Sequence, residues 1–331
     1  MNILVCGGAG YIGSHATAAL LEQGHTVVVL DNLEKGHRAA VMAPARLYIG
    51  DLRDPVCLDK IFRENSIDAV MHFAAYSLVA ESMARPESYY HNNVYGSLCL
   101  LEAMRKHNVN KIVFSSTAAT YGEPESIPIS EDQRTRPESP YGETKLAVER
   151  MLHWYHGAHG LHYMALRYFN VAGAHKSGKI GEDHSPETHL IPLVLKAALG
   201  ETDGIQIFGS DYNTPDGTCI RDYIHVTDLV EAHILALGKL FQEAAESAIY
   251  NLGYGHGFSN LEIVEAARRV TGREIKLKLA ARRPGDPSVL IASPNAVIRD
   301  LGFTPRCDCL ETIIESAWIF HKNNPNGYKG L

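Results

Sequence analysis

A chain of 331 residues with a net charge of −7 presents no basic face for nucleic acid. Its 45% apolar and 21% charged residues suit one large or two modest folded domains, and no run of about 18 apolar residues offers a membrane span. The six cysteines include no C-x-x-C pair, which fits buried or incidental thiols in a reducing cytoplasm, and the first residues already read as a strand rather than a signal peptide.

Residues 3–6 form a short apolar run that leads into Gly7-Gly8-Ala9-Gly10-Tyr11-Ile12-Gly13. The pattern then predicts a helix over 14–22, stopped by Gly24, and a second strand over 26–30 that ends at Asp31-Asn32. Strand, glycine turn, helix, strand and acid make a dinucleotide-binding βαβ unit. The glycines permit a tight turn and close backbone approach, and a pyrophosphate meets the free N–H groups of the helix start. A carboxylate at Asp31 accepts from an adenosine 2′-hydroxyl and repels a 2′-phosphate, which points to NAD rather than NADP.

The alternation continues with strands over Arg46–Ile49, 69–73, 111–115 and 162–167 and helices over 55–65, 86–107 and 141–156. Strands alternating with helices predict an α/β fold, a doubly wound parallel sheet of the Rossmann type with both faces covered. In such a sheet ligands sit beyond the carboxyl ends of the strands. Residues 7–13, Asp31, Asp51-Leu52, Phe73-Ala74-Ala75, Ser115-Ser116-Thr117 and Tyr168-Phe169-Asn170 follow those ends and converge on one crevice.

The helix that starts at Tyr141 enters the same crevice, with Lys145 one turn further on the same face. A free phenol, with a pKa of about 10, is a poor base at neutral pH. A neighbouring ammonium favours the phenolate, so Tyr141-x-x-x-Lys145 reads as a proton-transfer device beside a hydride carrier. The alternative, a packed tyrosine and a solvated lysine, does not account for the convergence.

After Asn170 the composition shifts. Residues 174–189 read as a loop, followed by a helix over Leu190–Leu199, a strand over Ile205–Phe208 and a polar turn over 210–218. A strand over 222–226 and a helix over 227–240, capped by Thr227 or Asp228, come next. Ala248–Leu252 reads as a buried strand, 259–271 as a helix and Leu310–Asn323 as the last helix. This gives a nucleotide-binding domain over 1–174, to which 226–254 returns, and a smaller mixed α/β substrate domain over 175–225 plus 255–331.

The set Gly7-x-x-Gly10-x-x-Gly13, Asp51-Leu52, His72-Phe73-Ala74-Ala75, Asn92-Asn93-Val94-Tyr95-Gly96, Ser115-Ser116-Thr117, Tyr141-x-x-x-Lys145 and Arg167-Tyr168-Phe169-Asn170 resembles the extended short-chain dehydrogenase/reductases. Within them the chain is similar from end to end to the UDP-hexose 4-epimerases. Further matches lie in Gln206-Ile207-Phe208-Gly209, Arg221-Asp222-Tyr223-Ile224-His225-Val226 and Arg283-Pro284-Gly285-Asp286.

The resemblance implies interconversion of UDP-galactose and UDP-glucose through a transient 4-ketone, with NAD held throughout. It makes Tyr141, Lys145 and Thr117 catalytic. It assigns NAD to Gly7, Gly10, Tyr11, Ile12, Gly13, Asp31, Asn32, Lys35, Asp51, Leu52, Phe73, Ala74, Ala75, Asn92, Ser115, Tyr141, Lys145 and Phe169. It assigns the UDP-sugar to Thr117, Tyr141, Asn170, His189, Leu190, Gln206, Phe208, Arg221, Arg283 and Asp286; guanidinium groups suit a diphosphate. The chain departs from some relatives at Ser77, where they carry a cofactor-touching lysine, and at His189, where they carry asparagine. Leu290 falls at a gate that is tyrosine in strict UDP-glucose enzymes, which leaves room for an N-acetyl group.

His153, His156, His159 and His162 recur every third residue, but Gly157 and Gly160 are expected to break any helix aligning them. Cys307-Asp308-Cys309 is too tight for a usual zinc knuckle, so no metal is expected. The resemblance also implies a homodimer through the outer faces of the 86–107 and 141–156 helices. A 4,6-dehydratase or decarboxylase on the same scaffold is the nearest rival. Dehydratases follow the threonine with Asp-Glu, whereas Ala118-Ala119 follow Thr117 here. A non-catalytic NAD sensor would not need the Tyr141–Lys145 pair.

Overall fold

The short apolar runs form strands β1 (Asn2–Cys6), β2 (Thr26–Asp31), β3 (Arg46–Ile49), β4 (Ala69–His72), β5 (Lys111–Thr117) and β6 (His162–Tyr168). With the later strand Ala248–Leu252 they make one parallel sheet, in the order Ala248–Leu252, β6, β5, β4, β1, β2, β3. This is the arrangement in the computed structural model, which describes residues 1–243, 246–283 and 286–329. Alternation along β1 shows why the sheet is covered on both faces. Ile3 and Val5 pack into one core with Leu20, Leu229 and Leu252, while Leu4 and Cys6 pack into another with Leu58, Leu100 and Leu152. The strand order reverses between β1 and β4, which opens the crevice where such folds bind ligands.

Helix α1 (Tyr11–Glu22) starts directly after the glycine turn, three residues earlier than expected. The helix expected over 86–107 is interrupted: α-helical turns at Pro86–Tyr89 and Gly96–Lys106 flank a π-helical stretch at Tyr90–Tyr95. Asn93 in that stretch explains the widening. Its side-chain oxygen accepts from the Tyr76 N–H at 2.8 Å, and its amide donates to Thr144 Oγ1 at 3.1 Å, tying the helix to the crevice wall.

The helix at Tyr141 spans Pro140–His159, with Ser139 as its cap, and Gly160 ends it in the left-handed region at φ 67°. Gly157 therefore does not break it, contrary to expectation. His156 Nδ1 instead lies 2.7 Å from the Leu161 carbonyl.

Beyond β6 the strand expected over 222–226 is shorter, Tyr223–His225, and a separate strand, Ile220–Arg221, precedes it. Between them Asp222, fully buried, turns its carboxylate to accept from the Tyr254, Gly255 and Ala292 N–H groups. The following helix runs Val226–Lys239 and is capped by His225, whose Nδ1 accepts from the Thr227 N–H at 3.0 Å, not by Thr227 or Asp228. Helices Leu190–Leu199, Asn260–Thr271 and Leu310–Asn323 bury Leu195, Ile263 and Ile313 in a separate core. Strand Ala248–Leu252 pairs with β6, placing Asn251 beside Arg167. Pro284 and Gly285, within one of the quoted motifs, lie outside the described residues. Among those residues no helix is long and apolar enough to cross a membrane.

Candidate active site

The glycine turn between β1 and α1 has no room for side chains. A Cβ on Gly7, whose φ is +79°, would lie 2.6 Å from the Ala74 nitrogen, and one on Gly13 would lie 2.1 Å from the Gly7 oxygen. Gly10 begins α1 with no side-chain cap, so the first N–H groups of the helix stay available to an anion. At the end of β2, Asp31 accepts from the Ala9 and Leu33 N–H groups at 2.9 Å each. A carboxylate has about four acceptor positions, so capacity for a ligand hydroxyl remains. Asp51 is held well below the usual carboxylate range by hydrogen bonds from Arg53.

These groups face a crevice of about 450 Å³, a volume typical of ligand sites. Every residue assigned to NAD lines it, from Gly7, Gly10, Tyr11, Ile12 and Gly13 through Asp31 and Phe73 to Lys145 and Phe169. Ser77 and Leu290 line it as well.

Near the end of β5, Thr117 and Tyr141 share a hydrogen bond that draws the phenol's pKa down against the larger upward push of burial. Lys145 is 3% exposed; its Nζ donates to the Ser115 carbonyl at 2.7 Å and lies 5.0 Å from the centre of the Phe114 ring. Burial pulls its pKa down to about 7 against the attraction of Glu149. Beneath it, Glu149 accepts from Arg167 Nε and Nη2 at 2.9 and 2.6 Å, and Arg167 donates to Tyr121 at 2.8 Å. This buried network fixes the floor under Lys145.

Asn170, His189 and Leu190 reach the crevice, whereas Gln206, Phe208, Arg221, Arg283 and Asp286 do not line it. Arg221 pairs with Asp286 and donates to the Pro287 and Ile220 carbonyls at 2.7 and 2.8 Å. The Arg283 guanidinium stacks 4.0 Å over the Phe208 ring, and Gln206 is exposed on its strand.

Sequence reasoning passed over Glu182, His184 and Glu187, which the loop before Leu190 folds against His189 at the crevice wall. His189 Nδ1 lies 2.9 Å from Glu182 and 3.0 Å from Glu187. Although burial opposes it, these carboxylates push the pKa of His184 up to about 9 and that of His189 up to about 10. The spacing Glu-x-His-x-x-Glu-x-His was the available signal. The expectation of no metal rested on the 153–162 histidines and on Cys307-Asp308-Cys309 and did not weigh this set.

Residues 3–253 match the model of the NAD dependent epimerase/dehydratase family. The chain is 57% identical over 328 residues to the UDP-glucose 4-epimerase of Halalkalibacterium halodurans, covering 99% of this chain and 98% of that protein. It superposes on a crystal structure of a UDP-glucose 4-epimerase with a TM-score of 0.97 at 58% identity, covering 99% of both chains. The Bifidobacterium longum UDP-glucose 4-epimerase in complex with NAD+ and UDP gives a TM-score of 0.94 at 39% identity, covering 99% of this chain and 100% of that one.

Proposed function

This chain belongs to the NAD dependent epimerase/dehydratase family, and from that premise we propose how its crevice works. The protein is an NAD-dependent isomerase that interconverts UDP-glucose and UDP-galactose by inverting C4. The observation that carries the reading is the meeting of Tyr141, Thr117 and Lys145 with the glycine turn in one crevice.

The crevice fits the cofactor: the turn folds tightly on itself because Gly7 and Gly13 carry no Cβ, and α1 offers uncommitted N–H groups at the crevice. NAD, when bound, supplies a hydride acceptor that later gives the hydride back. Asp31 and Asn32 would hold the adenosine ribose, Lys35 and the α1 start the diphosphate, and Ser115, Lys145 and Phe169 the nicotinamide end.

Tyr141, as phenolate, takes the proton from the 4-hydroxyl, and Thr117 hydrogen-bonds the same oxygen. Ionisation of Tyr141 and protonation of Lys145 favour one another, since each charge stabilises its opposite across one helical turn. The flat 4-keto sugar turns over about its diphosphate link, and Tyr141 returns the proton as the C4 hydrogen arrives on the other face. Asn170, His189 and Leu190 would position the sugar, while Gln206, Phe208, Arg221, Arg283 and Asp286 would hold the uridine diphosphate from the second lobe. In that reading 1–174 with 226–254 form the NAD domain and 175–225 plus 255–331 the UDP-sugar domain.

The exposed apolar side chains of Tyr95, Leu98 and Trp154 on the 86–107 and 140–159 helices support a homodimer, which light scattering would test through the mass. Leu290 lines the crevice where a larger side chain would narrow it, which supports turnover of the N-acetyl substrates. A dehydratase is disfavoured because Ala118-Ala119 supply no acid or base for loss of water.

The test is to incubate purified protein with UDP-galactose or UDP-glucose, without added cofactor, and separate the products. The same mixture should form from either side. No interconversion, or a product lighter by one water, would overturn the reading.

A further inference from the structure

We propose that Glu182, His184, Glu187 and His189 bind one divalent transition-metal ion, zinc foremost, at the crevice wall. The four side chains come from a segment of eight residues without helix or strand, yet their ligand atoms all lie within 4.8 Å of one another. His184 Nδ1 stands 3.3 Å from Glu182 and 3.6 Å from Glu187, and His189 Nδ1 bridges the same two carboxylates.

The carboxylates are out of water: the Glu182 side chain is 6% exposed and that of Glu187 is 3% exposed. Glu187 Oε2 and His184 Nδ1 are buried and face each other at 3.6 Å as an ion pair in which neither atom makes a well-formed hydrogen bond. Two carboxylates also balance a dication, leaving the buried site neutral.

Donor chemistry selects the metal. Two imidazole nitrogens and two carboxylate oxygens make a four-coordinate set that suits zinc, whereas calcium and magnesium demand six or more oxygens. Outer contacts orient the ligands. Glu187 Oε1 accepts from the Thr188 and His189 N–H groups at 2.8 and 2.9 Å. Asp183, between two ligands, turns the other way, accepting from the Tyr328 N–H at 2.9 Å, and His37 Nε2 lies 2.9 Å from its carbonyl. Four protein ligands close the coordination sphere, so the ion acts as a clasp. It pins the loop between Gly181 and the helix Leu190–Leu199 beside Tyr11 of α1, whose ring lies 6.4 Å from that of His184. The site takes no part in hydride transfer.

The experiment uses the full-length protein, treated with chelator and then equilibrated with zinc chloride, with metal content read by elemental analysis. One zinc per chain is expected, and zinc should raise the melting temperature. Cobalt chloride should give the visible absorption of a tetrahedral nitrogen–oxygen site, without thiolate charge-transfer bands. His184→Ala and Glu187→Gln should each weaken zinc uptake by at least about tenfold. The wild-type protein decides the matter even if a variant fails to fold. Absence of stoichiometric zinc, thiolate bands in the cobalt spectrum, or full uptake by folded variants would each overturn the proposal. Metal content is independent of turnover, so this result and the epimerase assay fail separately.

Discussion

Lys145 reaches from the Pro140–His159 helix to the carbonyl of Ser115 on β5, at 2.7 Å, and the side chain is thereby held almost out of solvent, 3% exposed. The consequence is a lysine whose pKa falls from 10.5 to about 7 in the folded chain, because burial disfavours its charge.

That shift makes stability depend on pH. Between about pH 7 and 10.5 the unfolded chain keeps a proton that folded Lys145 has released, so stability from this group rises with pH and is lost as pH falls toward 7. Urea midpoints of cofactor-stripped protein should therefore climb from pH 7 to 9, and Lys145→Met should flatten that part of the slope. An equal slope in the variant would show that the lysine is charged where it sits.

Tyr141→Phe keeps the ring and removes the oxygen that moves the proton. Turnover of UDP-galactose should fall by roughly 10²- to 10⁴-fold, with the NAD released on denaturation unchanged. Thr117→Val should also lose activity and Thr117→Ser keep it, since only the hydroxyl is used. A fully active Tyr141→Phe protein would remove the phenol from the chemistry.

Gly13→Ala places a methyl group 2.1 Å from the Gly7 oxygen, where only a rebuilt turn could accept it. Purified variant should carry little NAD and melt below the parent, as read by nucleotide release and calorimetry. Gly24→Ala makes a control, since a Cβ at Gly24 meets nothing within 4 Å, although its φ of +80° adds strain of its own.

Leu290→Tyr should narrow the crevice where Leu290 packs on Ala118, Tyr121 and Ile129. Turnover of UDP-N-acetylglucosamine should drop while that of UDP-glucose persists. Parallel initial rates with both substrates decide it, and an unchanged ratio would remove Leu290 as a gate.

Much of this site was legible in the chain because the sheet has a simple code. Buried parallel strands read as unbroken apolar runs, and residues after their carboxyl ends must meet. Side-chain choices that override backbone pattern were hidden. The Asn93 contacts accompany a π-helical stretch in a helix that periodicity draws as continuous, and the Asp222 carboxylate, bonded to the Tyr254 N–H, shortens a strand drawn to begin with it. The loop over 174–189 carries no periodicity, so its gathering of Glu182, His184, Glu187 and His189 needed the fold. Arg221 and Arg283 could be singled out from their motifs, but not their engagement by Asp286 and Phe208.

The strand Ala248–Leu252 completes the sheet only after the chain has made the helix Leu190–Leu199 and much of the second lobe. A nascent chain that has released its first 174 residues from the ribosome still carries β6 with one bare side, its N–H and C=O groups open to any passing strand. Truncation before Ala248 should therefore yield a sticky fragment and not a smaller NAD-binding protein.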